Sequence, residues 1–183
     1  RYTHAALDAL GEIVEKAGGA IQPDEVEALS VETYVWAAQL DHPKPGSMLA
    51  AKFSLPFSLA TALAHGGATL SAFRDEARAD ARIAALAAKV RVDEDPALTA
   101  LLPTLRPARV RLKLKDGRSF EAMAMTNKGD TEDPYGPDDI LAKFHEVAAP
   151  VVGREKSKRI AAACLGLENE SSLGAVAVLC EAA

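Results

Sequence analysis

Lys52 stands two residues ahead of Ser54 and four ahead of Pro56, at the entrance to a run that is apolar on nearly every side. From Leu55 to Ala64 only Ser58 and Thr61 are polar, and both are small. A helix without a polar face is a buried helix. Ser54 offers a side-chain oxygen to the free N–H groups of its first turn, Pro56 is tolerated only there, and His65-Gly66-Gly67 supplies the stop. A cation beside a helix N-terminus, where unpaired N–H groups point outward, suits an anion such as a carboxylate. Lys52 and Ser54 are therefore the candidate anion-binding pair. The plainer reading keeps Lys52 as a solvated lysine ahead of a core helix, with Glu76 as a possible surface partner.

The four histidines are the other groups that could move a proton near neutral pH. His4 sits at the start of a helix beside Tyr2 and Thr3; alone it reads as a surface or capping residue. His42 lies in a proline-rich loop and reads as solvated. His65 complements a helix C-terminus, and His145 follows a solvated helix face. They have no metal-ligand spacing. Asp130, Glu132 and Asp133 form a weak cation signal, better read as an acidic loop. Cys164 and Cys180 are too few for a disulfide framework and lack metal spacing, so a reducing cytoplasm is the default location.

Composition narrows the class. The 183 residues are 49% hydrophobic and 26% charged, enough for one sizeable core or two small ones. Aromatics are only 5%, so an Ala-rich core relies on close backbone approach. The net charge of −5 argues against a general nucleic-acid binder. No apolar run reaches the roughly 20 residues of a membrane span, and no signal peptide is visible. The first residue is Arg rather than Met, as in a fragment or processed product.

The pattern predicts the elements that must position these groups. Thr3 to Lys16 is helical, with Ala6, Leu7, Leu10, Ile13 and Val14 on one face. Glu27 to Ala37 alternates as a strand, Val31, Thr33 and Val35 against Glu32, Tyr34 and Trp36. Asp41 to Ser47 is a loop, its prolines disfavouring helix and central strand. Short helices follow at Leu70 to Arg74, Asp80 to Ala87 and Pro96 to Leu101, with a strand at Lys89 to Asp93. From Arg109, Val110, Leu112 and Leu114 alternate with basic residues. Asp116-Gly117 marks a tight hairpin turn with positive φ at both central positions, and the return strand runs through Phe120, Ala122 and Ala124. The basic outer face reads as solvated, since no aromatic interleaves it. After a Gly/Asp/Pro-rich loop, a helix runs from Pro137 to about Ala148 with Ile140, Leu141, Phe144 and Val147 inward. A second spans Val151 to Leu167, and a third is capped by Ser171-Ser172 and runs to the end. The fold class is α+β: an antiparallel sheet of about four strands, a buried Ala-rich helix, and C-terminal helices.

HPKPGSMLAAKFSLPFSLATALAHG resembles the AKFSLPY segment of the MmgE/PrpD family, which includes 2-methylcitrate dehydratase, cis-aconitate decarboxylase and iminodisuccinate epimerase. RYTHAALDAL resembles the segment that introduces that family's second domain. DARIAALAAKVRVDEDPAL, RPARVRLKLKDGRSFEA and GPDDILAKFHEVAAPVVG follow in the family's order, so the resemblance covers almost the whole chain. The family usually has an acidic residue where Ala50 stands and Tyr where Phe57 stands, a tyrosine whose hydroxyl reaches the active site in some members.

The resemblance implies a lid-like second domain over residues 1–136 and C-terminal helices over 137–183 that pack on an absent N-terminal helical domain. It implies a cofactor-independent lyase or isomerase acting on a small di- or tricarboxylate by proton abstraction beside a carboxylate. His4 would be the acid/base, and Lys52 and Ser54 would hold a substrate carboxylate, with no metal. The fragment alone would be inactive, with orphaned apolar helix faces making a homodimer. The alternative is a catalytically degenerate paralogue serving as a binding or assembly domain.

Overall fold

The computed structural model describes residues 1–169 and 172–180. It divides into two compact units, Arg1–Asp133 and the chain from Pro134 onward. The first unit contains α1 (His4–Lys16), β1 (Val26–Thr33), α2 (Val35–Ala38), α3 (Met48–Lys52), α4 (Leu55–His65), α5 (Asp75–Ala79), α6 (Ala81–Ala87), β2 (Val90–Glu94), α7 (Pro96–Thr99), β3 (Ala108–Leu114) and β4 (Ser119–Ala124). The second contains α8 (Pro137–Val152), α9 (Arg154–Leu165) and α10 (Leu173–Cys180). The fold is α+β.

The four strands run in the order β2-β1-β3-β4. Contrary to the antiparallel expectation, the sheet is mixed: β1 pairs parallel with β2, and antiparallel pairing is confined to β1-β3 and β3-β4. The helices from α2 to α6 lie between β1 and β2 in sequence, and such a crossover returns the chain to the same end of the sheet. Leu29, Val31, Val110, Leu112 and Leu114 are buried on one face with Ala6, Leu10 and Ile13 of α1. On the other face, Arg109 and Arg111 flank Glu32, Arg111 also pairs with Glu121, and Lys113 pairs with Glu27. That basic-looking face is thus laced with matched acids.

β1 is shorter than its alternation suggests. It ends at Thr33, opposite Ala108. The next residue on the β3 side is Pro107, which has no N–H to extend the ladder. The chain turns instead: Val35 N–H donates to Thr99 Oγ1 at 2.9 Å, and Ala37 and Ala38 N–H return to the Tyr34 carbonyl. Tyr34, which the alternation puts beside Glu32 and Trp36, becomes 1% exposed while Trp36 is 49% exposed.

The hairpin also differs in turn type. Only Gly117 takes positive φ, at 92°; no other residue type does so among the described residues. Asp116 holds the turn through its carboxylate, which accepts from the Arg118 N–H at 2.9 Å and the Arg118 side chain at 2.7 Å. One left-handed glycine after a standard turn gives the longer, bulged hairpin rather than the two-residue form.

α4 is the buried helix that its composition demands. Every residue from Leu55 to Leu63 is buried. Its two hydroxyls are satisfied internally: Thr61 donates to the Ala72 carbonyl at 2.7 Å and Ser58 to that of Ala51 at 3.4 Å. Gly66 ends it in the left-handed region, φ 71°, where a side chain would be strained.

In the second unit α8 runs to Val152, past the expected end, carrying Pro150 within its last turn. Gly153, at φ 81°, separates it from α9, so the continuous Val151–Leu167 helix is replaced by Arg154–Leu165. Of the residues expected inward on α8, Ile140 and Val147 are exposed. Ser172 Oγ accepts from Gly174 N–H at 3.1 Å, whereas the Ser171 half of the expected cap and the last three residues lie outside the described residues.

Candidate functional site

Lys52 is exposed and is the last residue of α3, a helical turn that the sequence pattern did not separate from its surroundings. Ser47 caps α3 by accepting from Ala50 N–H at 3.1 Å. Ser54 lies between α3 and α4 and is buried. Its Oγ accepts from Phe57 N–H at 3.0 Å and donates to the His42 carbonyl at 2.6 Å, so the hydroxyl is committed to the cap. The first-turn donors of α4 are occupied as well. Leu55 N–H donates to the Leu40 carbonyl at 2.8 Å, Pro56 has none, and Ser58 N–H returns to the Ser54 carbonyl. The outward N–H groups expected of this helix start are therefore absent, because the proline-rich loop folds back over it. Lys52 lies at the surface beside that covered end.

Phe57, at the position where the sequence suggested a family tyrosine, is 2% exposed and packs against Phe73 at 6.2 Å.

His4 opens α1 at the surface, with buried Thr3 before it and buried Ala5 and Ala6 after it. Partial burial pulls its imidazole below the ordinary histidine range, and Asp8 opposes it. Asp8 is one helical turn along on the same face. Its carboxyl is raised by burial, against the hydrogen bond it accepts from Lys128 N–H at 2.8 Å. Asp133 pushes in the same direction as burial. A second clamp, Arg1 to Asp130 at 3.1 Å, holds the same loop. That loop is closed by Gly129 N–H to the Asp133 carbonyl. The i, i+4 spacing of His4 and Asp8 was visible in the sequence; the loop that meets Asp8 was not, being 120 residues away.

No hydrogen bond or ion pair among the described residues joins His4 to Lys52 or Ser54, so the structure gives two polar groupings in the first unit. Among those residues no group of three or more His, Cys, Asp or Glu could hold a metal ion. His42 and His65 are exposed. His145 departs from the solvated expectation: its Nδ1 lies 2.9 Å from Ser157 Oγ, which donates to the Arg154 carbonyl. The ring thereby donates to Ser157 and links α8 to α9 across the break at Gly153. No helix is long and apolar enough to cross a membrane among the described residues.

A family model, the MmgE/PrpD C-terminal domain, matches residues 1–168. No curated protein matches the chain.

Proposed function

From the premise that this chain belongs to the MmgE/PrpD family, as its C-terminal domain, we propose that it forms part of a cofactor-independent lyase or isomerase acting on a small di- or tricarboxylate. The reaction begins with removal of a proton from carbon beside a carboxylate. His4 is the proton carrier. An imidazole held toward its neutral form keeps a lone pair for the C–H proton, and the carbanion's charge spreads into the adjacent carboxylate. Loss of a β-leaving group, loss of carbon dioxide, or reprotonation on the other face then completes a dehydratase, decarboxylase or epimerase.

Lys52 supplies the positive charge that draws a substrate carboxylate. Ser54 acts through the backbone, by capping α4 and fixing the turn that carries Lys52. The remaining groups come from an N-terminal helical domain on which the second unit packs, and the working protein is a homodimer. The observation that carries the reading is the placement of His4 at the surface end of α1, with its neutral form favoured and Asp8 one turn away.

The test uses protein with both family domains. His4→Ala should lower kcat about 10²–10⁴-fold, the usual cost of losing a general acid/base, with an unchanged circular dichroism spectrum. Equal rates would remove His4 from the chemistry. Phe57 favours a second reading, a degenerate paralogue serving as a binding or assembly domain, because a ring buried against Phe73 offers a substrate no hydroxyl. Full-length protein inactive toward the family's carboxylates, with carboxylate binding retained, would select it.

A further inference from the structure

A cavity of about 630 Å³ opens between the last turns of α8 and the first turn of α9. His145, Glu146 and Pro150 line it from α8, and Arg154, Ser157 and Lys158 from α9. Its two walls meet because Gly153, at φ 81°, breaks the helix and lets α9 pack against α8. Residues 12 apart in the chain then touch: His145 Nδ1 lies 2.9 Å from Ser157 Oγ.

That contact fixes which atom of the imidazole is left for a ligand. Ser157 is 1% exposed, and its hydroxyl donates to the Arg154 carbonyl at 3.0 Å, so its oxygen accepts from His145 Nδ1–H. The Phe144 ring meets the imidazole edge-on at 5.4 Å and steadies it further. The half-buried ring therefore has Nε2 as its one uncommitted nitrogen, and in the neutral imidazole that nitrogen accepts a hydrogen bond.

The charges around the cavity differ in how far they are already matched. Lys158 pairs with Glu155 at 2.8 Å, and Glu146 with Lys143 at 3.2 Å, each along its own helix. Arg154 is exposed, and its guanidinium makes no hydrogen bond or ion pair among the described residues. The unmatched charge of the cavity is thus a guanidinium, whose planar fork suits two oxygens of a carboxylate or phosphate.

We propose that Arg154 and His145 form a binding site for a small oxyanion that also carries an O–H, either hydrogen phosphate or a hydroxycarboxylate. The Arg154 fork takes two anionic oxygens, and the O–H donates to His145 Nε2. Ser157 positions the ring without touching the ligand. The site uses none of His4, Lys52 and Ser54, so it stands or falls independently of the lyase or isomerase reading.

The test titrates isotope-labelled chain with inorganic phosphate and, separately, with citrate, at ionic strength held constant with chloride. The His145 ring and Arg154 Nε–H signals are read by NMR. Saturable shifts at both residues are expected. Phosphate acting alone would assign the site to phosphate-bearing ligands, citrate alone to hydroxycarboxylates, and either supports it. Arg154→Gln should weaken binding about tenfold or more, the worth of a hydrogen bond to a charged group, and Arg154→Lys should restore part of the loss. Because Arg154 is exposed and unpaired, Arg154→Gln should leave the melting temperature unchanged, which separates binding from folding. Ser157→Ala should abolish the protected His145 Nδ1–H signal and weaken binding less than Arg154→Gln does. Arg159, an exposed cation of α9 outside the cavity lining, is the control, and Arg159→Gln should bind as the wild type does. Equal weakening by Arg159→Gln and Arg154→Gln would mean general charge attraction and would overturn the site. Unchanged affinity in Arg154→Gln, or no saturable shift with either anion, would overturn it as well.

Discussion

Asp8 on α1 accepts a hydrogen bond at 2.8 Å from the backbone N–H of Lys128, in the loop that leaves β4. The contact ties the start of the first helix to a segment 120 residues away, one helical turn from His4. Asp8→Ala removes the acceptor and should destabilise the first unit by about 1–3 kcal/mol. Asp8→Asn keeps an acceptor and should cost less. Urea unfolding of both variants distinguishes them; equal losses would mean that the charge, not the hydrogen bond, holds the loop.

The same carboxylate sets a sign for His4. Asp8 raises the imidazole against burial, which wins. Asp8→Asn should therefore lower the His4 titration midpoint further, read from its ring proton shifts across pH. A midpoint unmoved or raised would show that Asp8 does not act on the ring.

Stability should follow from that midpoint. His4 titrates below its ordinary value of about 6.5 in the folded chain. The unfolded chain then binds the proton more readily, so His4's contribution is present above about 6.5 and lost as pH falls through the folded value. In unfolding curves between about pH 7 and 5, wild type should lose stability relative to His4→Gln. The opposite slope would place a stabilising partner on the charged imidazole.

Phe57 offers a test of the family difference. Phe57→Tyr adds a hydroxyl to a side chain 2% exposed against Phe73. Unless the oxygen finds a partner, it should cost about 1–3 kcal/mol. An unchanged melting temperature would show that this ring edge already opens onto a polar cleft.

The second unit leaves large apolar side chains in the open: Ile140, Val151, Leu165, Leu173 and Val178 are each at least 59% exposed. The isolated chain should self-associate and bind an apolar dye, and Val151→Asp with Leu173→Asp should reduce both. Light scattering of a clean monomer with no dye signal would count against the dimer.

The elements that the sequence made legible are those whose pattern is local. The all-apolar stretch at Leu55 to Leu63 could only be buried, and Ser54, Pro56 and Gly66 marked its ends. The alternation of Val110, Leu112 and Leu114 gave β3 its inner face. What escaped depends on distant partners. The strand-like run through Trp36 breaks because Pro107, far along the chain, cannot donate to it. The helix start at Ser54 loses its open N–H groups because Leu40 and His42 fold back onto it. Asp8 carried no motif of its own, and became a candidate only when the chain set it beside Lys128.

That folding-back separates two residues that the sequence presents as a pair. Ser54 holds the cap, with both hydrogen bonds of its hydroxyl inside the chain. Ser54→Ala should therefore cost about 0.5–2 kcal/mol in stability, the usual range for an N-cap, and strands the His42 carbonyl as well. Lys52 has no such duty. It is exposed at the end of α3, so Lys52→Met should leave the melting temperature nearly unchanged. In protein carrying both family domains, Lys52→Met should instead raise KM for a carboxylate substrate about tenfold, the lower end for a charge-assisted hydrogen bond. Ser54→Ala, compared well below its melting temperature, should change KM less than Lys52→Met does. Unchanged KM in Lys52→Met would return this lysine to the solvated surface. A KM raised by Ser54→Ala without loss of stability would instead put the serine hydroxyl in contact with substrate.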